Sequence, residues 1–318
     1  MTMTSEDRRR VVAALKEAPE WLLISHVKPD GDTLGAASAL LQIGQFLGKN
    51  VLWGGADPLP HRYDFIPCGD LYRVMPSLSD DLAQRLVVTV DVSTPDRGLP
   101  GIEKAANLVV IDHHGDNPRF GTVNWIASVS SVGEMIHGLV SDLGVIPTLP
   151  MAEAIYVAIV TDTGGLSFSN TTGETLRVVA ELLDQGVSPQ GMNRLLYHND
   201  SPSRLHLWGR AFQRIVWRNG VCYSWLGMRD FDETGTVPDD TETLINALMR
   251  ISDTVVGVLF VEAGDDIKVS LRSVGDLSVR SVASLWGGGG HPNASGCRLS
   301  GTMNEVIDDV IGEIQNRL

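Results

Sequence analysis

Val109-Val110-Ile111-Asp112-His113-His114-Gly115 is the stretch that decides how this chain reads. An apolar, β-branched run stops at one carboxylate and two imidazoles, and a glycine follows. Such a run reads as a buried strand of a parallel sheet, with its polar end at the carboxyl edge where α/β proteins build their sites. Adjacent His113 and His114 point in different directions whatever the local backbone, so one can hold a metal ion while the other faces a substrate.

The same pattern recurs upstream. Trp21 to Ser25 reads as the first strand and runs into His26-Val27-Lys28-Pro29-Asp30-Gly31-Asp32-Thr33-Leu34-Gly35. Pro29 and Gly31 force a tight loop, and Gly35 lets a helix over about residues 36–47 pack closely. Asp30 and Asp32, two apart, can send carboxylates toward neighbouring points; a helix N-cap and a turn residue are the alternative. Val51 to Trp53 is a second strand, and His61 after it reads as a surface residue. Leu86 to Val90 is a third and ends in Asp91, and Leu108 to Ile111 is the fourth. Three strands thus finish in acid or imidazole at one sheet edge. Helices are expected over 131–143 and 152–160, the latter ending in Thr161-Asp162-Thr163-Gly164-Gly165, where Asp162 also suits a turn. Phe168-Ser169-Asn170-Thr171-Thr172 precedes a further helix over 173–185.

Residues 191–209 are more polar and read as a linker between a domain over 1–190 and a smaller one over 210–318. In the latter, Asn219-Gly220 marks a hairpin between Phe212–Trp217 and Val221–Leu226. A second hairpin is expected over 254–274, with helices over 241–250, 278–286 and 303–318. Gly287-Gly288-Gly289-Gly290-His291 interrupts them, allowing close backbone approach and N–H groups that cradle an anion. The fold class is α/β: a mostly parallel sheet flanked by helices, then a mixed α/β domain, with the site expected in the cleft between them.

At 318 residues, 43% hydrophobic and 20% charged, the chain has core enough for two domains. No apolar run approaches the ~20 residues that span a bilayer, and Arg8-Arg9-Arg10 precede no signal-peptide apolar core. Three cysteines, Cys68, Cys222 and Cys297, form no CxxC pair; the odd count fits a reducing cytoplasm. A net charge of −14 opposes duplex nucleic acid as a partner, whereas small anions still bind where cations reverse the local sign.

His26, Asp30, Asp32, Asp91, Asp112, His113, His114 and Asp162 form a set rich in oxygen ligands with a few imidazoles. It suits Mn²⁺ or Mg²⁺ better than structural Zn²⁺, and it exceeds what one ion needs. Two such ions can activate a hydroxide and stabilise both oxygens of a displacement at phosphorus.

The sequence resembles the DHH superfamily of phosphoesterases. His26-Val27-Lys28-Pro29-Asp30-Gly31-Asp32 is similar to the first family motif, Asp91 to the second, Asp112-His113-His114 to the third and Thr161-Asp162-Thr163-Gly164 to the fourth, in the family's order. The resemblance implies two divalent cations, Mn²⁺ ahead of Mg²⁺. His26, Asp30 and Asp91 would hold one; Asp32, Asp91, His113 and Asp162 the other. It further implies that His114 faces the phosphate and that Asp112 orients an imidazole. Ser270-Leu271-Arg272-Ser273 and the glycine run resemble the DHH-associated substrate-binding domain, with Arg272, Gly288, Gly289, Gly290 and His291 toward substrate. Arg97 and Asn170 are further candidates for substrate contact.

The two-domain length resembles the nanoRNase and pAp-phosphatase branch. That branch implies hydrolysis of very short oligoribonucleotides to mononucleotides and removal of the 3′-phosphate of pAp. One departure stands out: the branch has a basic residue two before the Ser-Asn-Thr-Thr run, where this chain has Ser167 beside Phe168. Other readings share the motifs: a phosphodiesterase for linear dinucleotides such as pApA, a RecJ-like single-strand DNA exonuclease, or a metal-dependent nucleotide sensor without turnover. A homodimer is implied by family likeness alone.

Overall fold

The computed structural model describes residues 6–198 and 200–318. The chain divides into two compact units whose sequences join at residues 199 and 200. Unit 1 begins with α1 (Glu6–Glu17), β1 (Glu20–Ser25), α2 (Gly31–Phe46) and β2 (Asn50–Gly55). It continues through β3 (Tyr72–Val74), β4 (Leu86–Val90), β5 (Asn107–Asp112) and β6 (Val123–Ile126). Four helices complete it: α3 (Val132–Asp142), α4 (Leu149–Asp162), α5 (Gly173–Asp184) and α6 (Pro189–Tyr197).

The six strands form one wholly parallel sheet in the order β3-β2-β1-β4-β5-β6. Every residue of β4, and every residue of β1 and β5 but the first, is buried, as expected of strands covered on both faces. The chain leaves β1 in one direction and returns beside it as β4. Crevices at the carboxyl ends of such a reversal are where open α/β sheets bind ligands. Short β3 and β6 lie at the edges, and their three and four residues are too few for alternation to announce a strand.

α2 and α4 are apolar on nearly all sides and lie buried against one another. α2 begins at Gly31 rather than near residue 36, because Asp30 caps it: its carboxylate accepts the N–H groups of Asp32 and Thr33. Gly35 admits the crossing, since a Cβ there would strike the Ala154 carbonyl and Ala158 of α4.

Residues 191–209, read as a connecting segment, are largely helical. α6 occupies their first part and α7 (Pro202–Gln213) the last. Each helix has a serine N-cap followed directly by proline, Ser188-Pro189 and Ser201-Pro202, an orthodox helix start. Phe212 therefore lies on a helix, and the hairpin strand before Asn219 is only β7 (Val216–Arg218).

Unit 2 continues with β8 (Val221–Leu226), α8 (Met228–Thr234), α9 (Leu244–Leu248), β9 (Val256–Ala263) and β10 (Asp266–Ser273). It ends with α10 (Val279–Ala283), β11 (Gly289–His291), β12 (Ala294–Ser300) and α11 (Met303–Gln315). Its six-stranded sheet has the order β11-β12-β10-β9-β8-β7 and is antiparallel except between β8 and β9. The three cysteines are free thiols. Among the described residues no helix is long and apolar enough to cross a membrane.

Candidate metal centre

Three strand ends and one helix end deliver the polar set. His26 follows β1, Asp91 follows β4, Asp112 closes β5 with His113 and His114 beyond it, and Asp162 is the last residue of α4. Asp30 and Asp32 stand at the start of α2. Residues scattered from 26 to 162 thereby converge at one end of the sheet, on both sides of the β1–β4 reversal.

The two candidate histidine ligands share one arrangement. Nδ1 of His26 lies 2.8 Å from the Val27 carbonyl, and Nδ1 of His113 lies 3.2 Å from that of Val129. A carbonyl only accepts, so Nδ1–H donates in each ring and Nε2 turns inward. Nε2 of His26 is 3.5 Å from Asp30 and 3.4 Å from Asp91 Oδ2. Nε2 of His113 is 3.6 Å from Asp91 Oδ1, 3.7 Å from Asp162 and 3.9 Å from Asp32. These separations are long for hydrogen bonds and natural for neighbouring ligands on a cation about 2.1 Å from each.

Asp91 stands between the two histidines, one oxygen toward each. Among the described residues its Oδ1 is buried without a hydrogen-bond partner, an arrangement native interiors rarely tolerate. Its backbone is left-handed, φ 62°, uncommon for a residue with a side chain and a frequent mark of functional sites. Asp32, also buried, accepts the N–H groups of Val132 and Gly133 at 2.7 and 2.9 Å. The α3 N-terminus thus holds one carboxylate in the middle of an acidic cluster.

The electrostatics ask for positive charge. Burial disfavours the His26 imidazolium, but the Asp30 and Asp91 carboxylates outweigh it and raise its pKa to about 10. Asp162 is pushed up to about 7 by burial and by Asp91 and Asp30, against the pull of His113. Asp32 is also driven well above the usual carboxylate range by burial and by Asp91 and Asp162. Divalent cations would relieve all three at once, so the donor set, the orphaned oxygen and the charge balance fit such ions. Two groups lie within ligand reach, His26–Asp30–Asp91 and Asp32–His113–Asp162, with Asp91 beside both; Asp91, His113 and His114 form a third.

His114 is held differently. Its Nδ1 lies 2.8 Å from Asp112 Oδ1, a contact that turns Nε2 away from that carboxylate. Asp112 is fully buried and also accepts the His113 N–H and the Asn117 side-chain amide. Asn117 was not singled out from the sequence; its signal there is only an Asn-Pro turn. Asn170 donates to the Ser130 carbonyl at 3.0 Å and to Asp162, at 3.2 Å to its carbonyl and 3.3 Å to its carboxylate. Arg97 reaches to within 3.4 Å of His26 Nδ1, at the edge of the cluster.

The remaining candidates belong to unit 2. Arg272 on β10 pairs with Ala294 of β12, which pairs with His291 of β11. Directly opposed positions share a sheet face, so Arg272 and His291 flank the small Ala294 side chain. Burial lowers the Arg272 pKa from its usual value, and its guanidinium donates to the neighbouring Leu271 carbonyl at 3.0 Å. The glycine run is less a loop than expected, since Gly289 to His291 form an edge strand. Gly288 and Gly290 are required by β12, whose backbone at Gly296 and Ala294 a Cβ would strike, whereas Gly289 faces open space.

Residues 20–159 match the DHH family N-terminal domain and residues 218–318 the DHHA1 domain. Over 98% of this chain and 95% of the relative, it is 31% identical to the bifunctional oligoribonuclease and PAP phosphatase NrnA of Thermus thermophilus. The chain belongs to the DHH family of phosphoesterases. The Bacillus subtilis protein of the same name is also 31% identical, over 87% of this chain and 88% of its own. A solved exopolyphosphatase-related protein from Bacteroides fragilis shares the fold with a TM-score of 0.93 at 23% identity, covering 99% of this chain and 97% of its own. The family makes this chain a hydrolase of phosphate esters.

Proposed function

We propose that this enzyme hydrolyses very short oligoribonucleotides to mononucleotides and removes the 3′-phosphate of pAp, in the cytoplasm. The observation that carries the reading is Asp91, with one oxygen toward each inward-facing histidine and Oδ1 buried without a partner. The names of the two relatives supply the substrate class.

His26, Asp30 and Asp91 would hold one cation, and Asp32, Asp91, His113 and Asp162 a second, with Mn²⁺ or Mg²⁺ suited to these ligands. Bound there, the cations supply Lewis acidity toward phosphoryl oxygens and lower the pKa of water. Asp112 takes the Nδ1 proton of His114 in a hydrogen bond, which orients the ring and fixes its tautomer. The Nε2 end of His114 then faces the phosphate, to hydrogen-bond the charge developing on it or on the leaving oxygen. The main-chain hold on Asp32 and the strand-end placement of Asp91 and His113 keep these groups rigid, so little reorganisation accompanies the reaction. In unit 2, Arg272 grips a phosphate through its forked donors and His291 contacts the adjacent nucleotide.

A substrate panel with Mn²⁺ tests this: pAp, pApA, RNA of two to twenty nucleotides, single-stranded DNA and pyrophosphate. Turnover is expected on pAp and on the shortest RNAs, falling steeply with length. Asp91→Ala should lower kcat by roughly a thousandfold or more, removing a donor shared by both cation positions. Preference for pyrophosphate or long DNA overturns the substrate assignment, and tight nucleotide binding without turnover makes the protein a sensor.

A further inference from the structure

Asn117 lies five residues beyond Asp112, in the turn after β5, and is buried. Its side-chain NH₂ donates to the Val92 carbonyl at 3.1 Å and to Asp112 Oδ2 at 2.6 Å. Its carbonyl oxygen accepts the Arg119 N–H at 2.8 Å. The amide orientation follows from these partners, because the reverse would put its oxygen against a carboxylate and a carbonyl.

The two acceptors belong to different strand ends. Val92 directly follows Asp91, whose left-handed backbone carries the orphaned oxygen. Asp112 directly precedes His113 and is hydrogen-bonded to His114. One amide therefore spans the peptide after the shared carboxylate and the carboxylate that orients the imidazole. Two donors at this separation on a planar group are what asparagine offers. Aspartate of the same shape has none, and serine has one.

We propose that Asn117 is a positioning residue that locks the Asp91 turn to the Asp112-His113-His114 turn, fixing both the cation donors and the imidazole facing the phosphate. The proposal deepens the reading above and rests on it. Removing the latch frees the Val92 peptide and one oxygen of Asp112, so Asp91 and His114 lose their mutual register. A residue that only fills space behaves differently: aspartate would then replace asparagine better than alanine does.

The test compares Asn117→Ala, Asn117→Asp and Leu99→Ala in the full-length chain. Leu99 is fully buried in the apolar cluster that it forms with Leu22, Ile24, Val87 and Val110, so its truncation reports a plain stability loss. Four quantities are read: thermal midpoint, Mn²⁺ binding by loss of the free-ion electron paramagnetic resonance signal, and both kcat and KM on pAp and a dinucleotide. Asn117→Ala is expected to weaken Mn²⁺ binding at least tenfold and lower kcat at least tenfold, with KM within about threefold. Asn117→Asp should be worse than alanine in both, and Leu99→Ala should match wild type in both despite a lower midpoint. A folded Asn117→Ala protein with wild-type Mn²⁺ affinity and kcat overturns the proposal, as does a graded loss that Leu99→Ala shares. Should the aspartate variant not fold, the alanine and leucine comparison still decides. Wild-type protein that binds no Mn²⁺ refutes the cation reading itself. Mn²⁺ binding with neither substrate turned over refutes only the substrate class, and the binding comparison still judges the latch.

Discussion

Replacing Asp162 by asparagine should make the metal-free protein more stable while disabling it. Asp162 sits in the acidic cluster with its pKa raised from 3.8 to about 7, by burial first and then by Asp91 and Asp30. Its side chain is 24% exposed, so solvent screening removes only part of the effect. At about 1.36 kcal/mol per pH unit, the rise corresponds to roughly 4 kcal/mol of stability forgone by the folded state at neutral pH. Some of that belongs to Asp32, whose neutralisation relieves the same repulsion, so a gain of about 2–4 kcal/mol is expected. For a unit of this size it equals roughly 4–16 °C in melting temperature. The sign follows from proton binding. Between pH 4 and 7 the folded state keeps a proton that the unfolded state has released, so wild-type stability falls as pH rises through that window. The variant's advantage is therefore absent below about pH 4, grows to pH 7 and is constant above. Asparagine keeps a carbonyl oxygen for Asn170, so that contact survives the change. The assay is thermal unfolding with chelator at pH 4, 6 and 8, repeated with Mn²⁺. A ligand at a hundred times its Kd adds about 2.7 kcal/mol, and this increment should shrink in the variant. If the chelated variant melts below wild type at pH 8, the cluster is not repulsive and the electrostatic argument fails.

Two further outcomes follow from unit 2. Asp230 ties α8 to α7 through Arg214 at 2.5 and 2.8 Å, and the Arg214 hydrogen bond is the main reason its pKa drops from 3.8 to about 2. Asp230→Asn should cost about 1–2 kcal/mol after allowance for the partly exposed guanidinium; the deficit should be full above pH 4 and vanish as pH falls through 2, as read from urea midpoints. Arg272→Lys keeps the charge and loses the fork, so KM for pAp should rise about tenfold with Mn²⁺ binding unchanged; equal KM values would remove Arg272 from the phosphate.

The centre of the sheet was legible because β1, β4 and β5 are buried on both faces and so had to be continuous apolar runs, each broken by a residue with chemistry. Edge strands Tyr72–Val74 and Val123–Ile126 meet no such demand, and three or four residues are too few for a pattern to stand out. Gly31 resembled a loop residue, yet it lies within α2, which Asp30 caps and where Thr161 of α4 packs onto it; at Gly35 the close helix packing read from the sequence is made by Ala154 of α4. Ser201-Pro202 is a helix start set among polar residues that suggest a connection, and the structure makes it the start of α7. The acids and histidines that converge on the cluster could be named from their types and places. The supports could not: Asn117 shows in the sequence only as an Asn-Pro turn, and the α3 N-terminus reaches Asp32 across a hundred residues through Val132.

β1 is made first but stands in the middle of the finished sheet, between β2 and β4. A chain emerging from the ribosome can lay β2 against one edge early, yet the other edge waits for Leu86–Val90. The acidic cluster waits longer still, until Asp162 closes α4. A part-built chain thus holds scattered acids and histidines, and they come together as one cluster only when the fold of the first unit is whole.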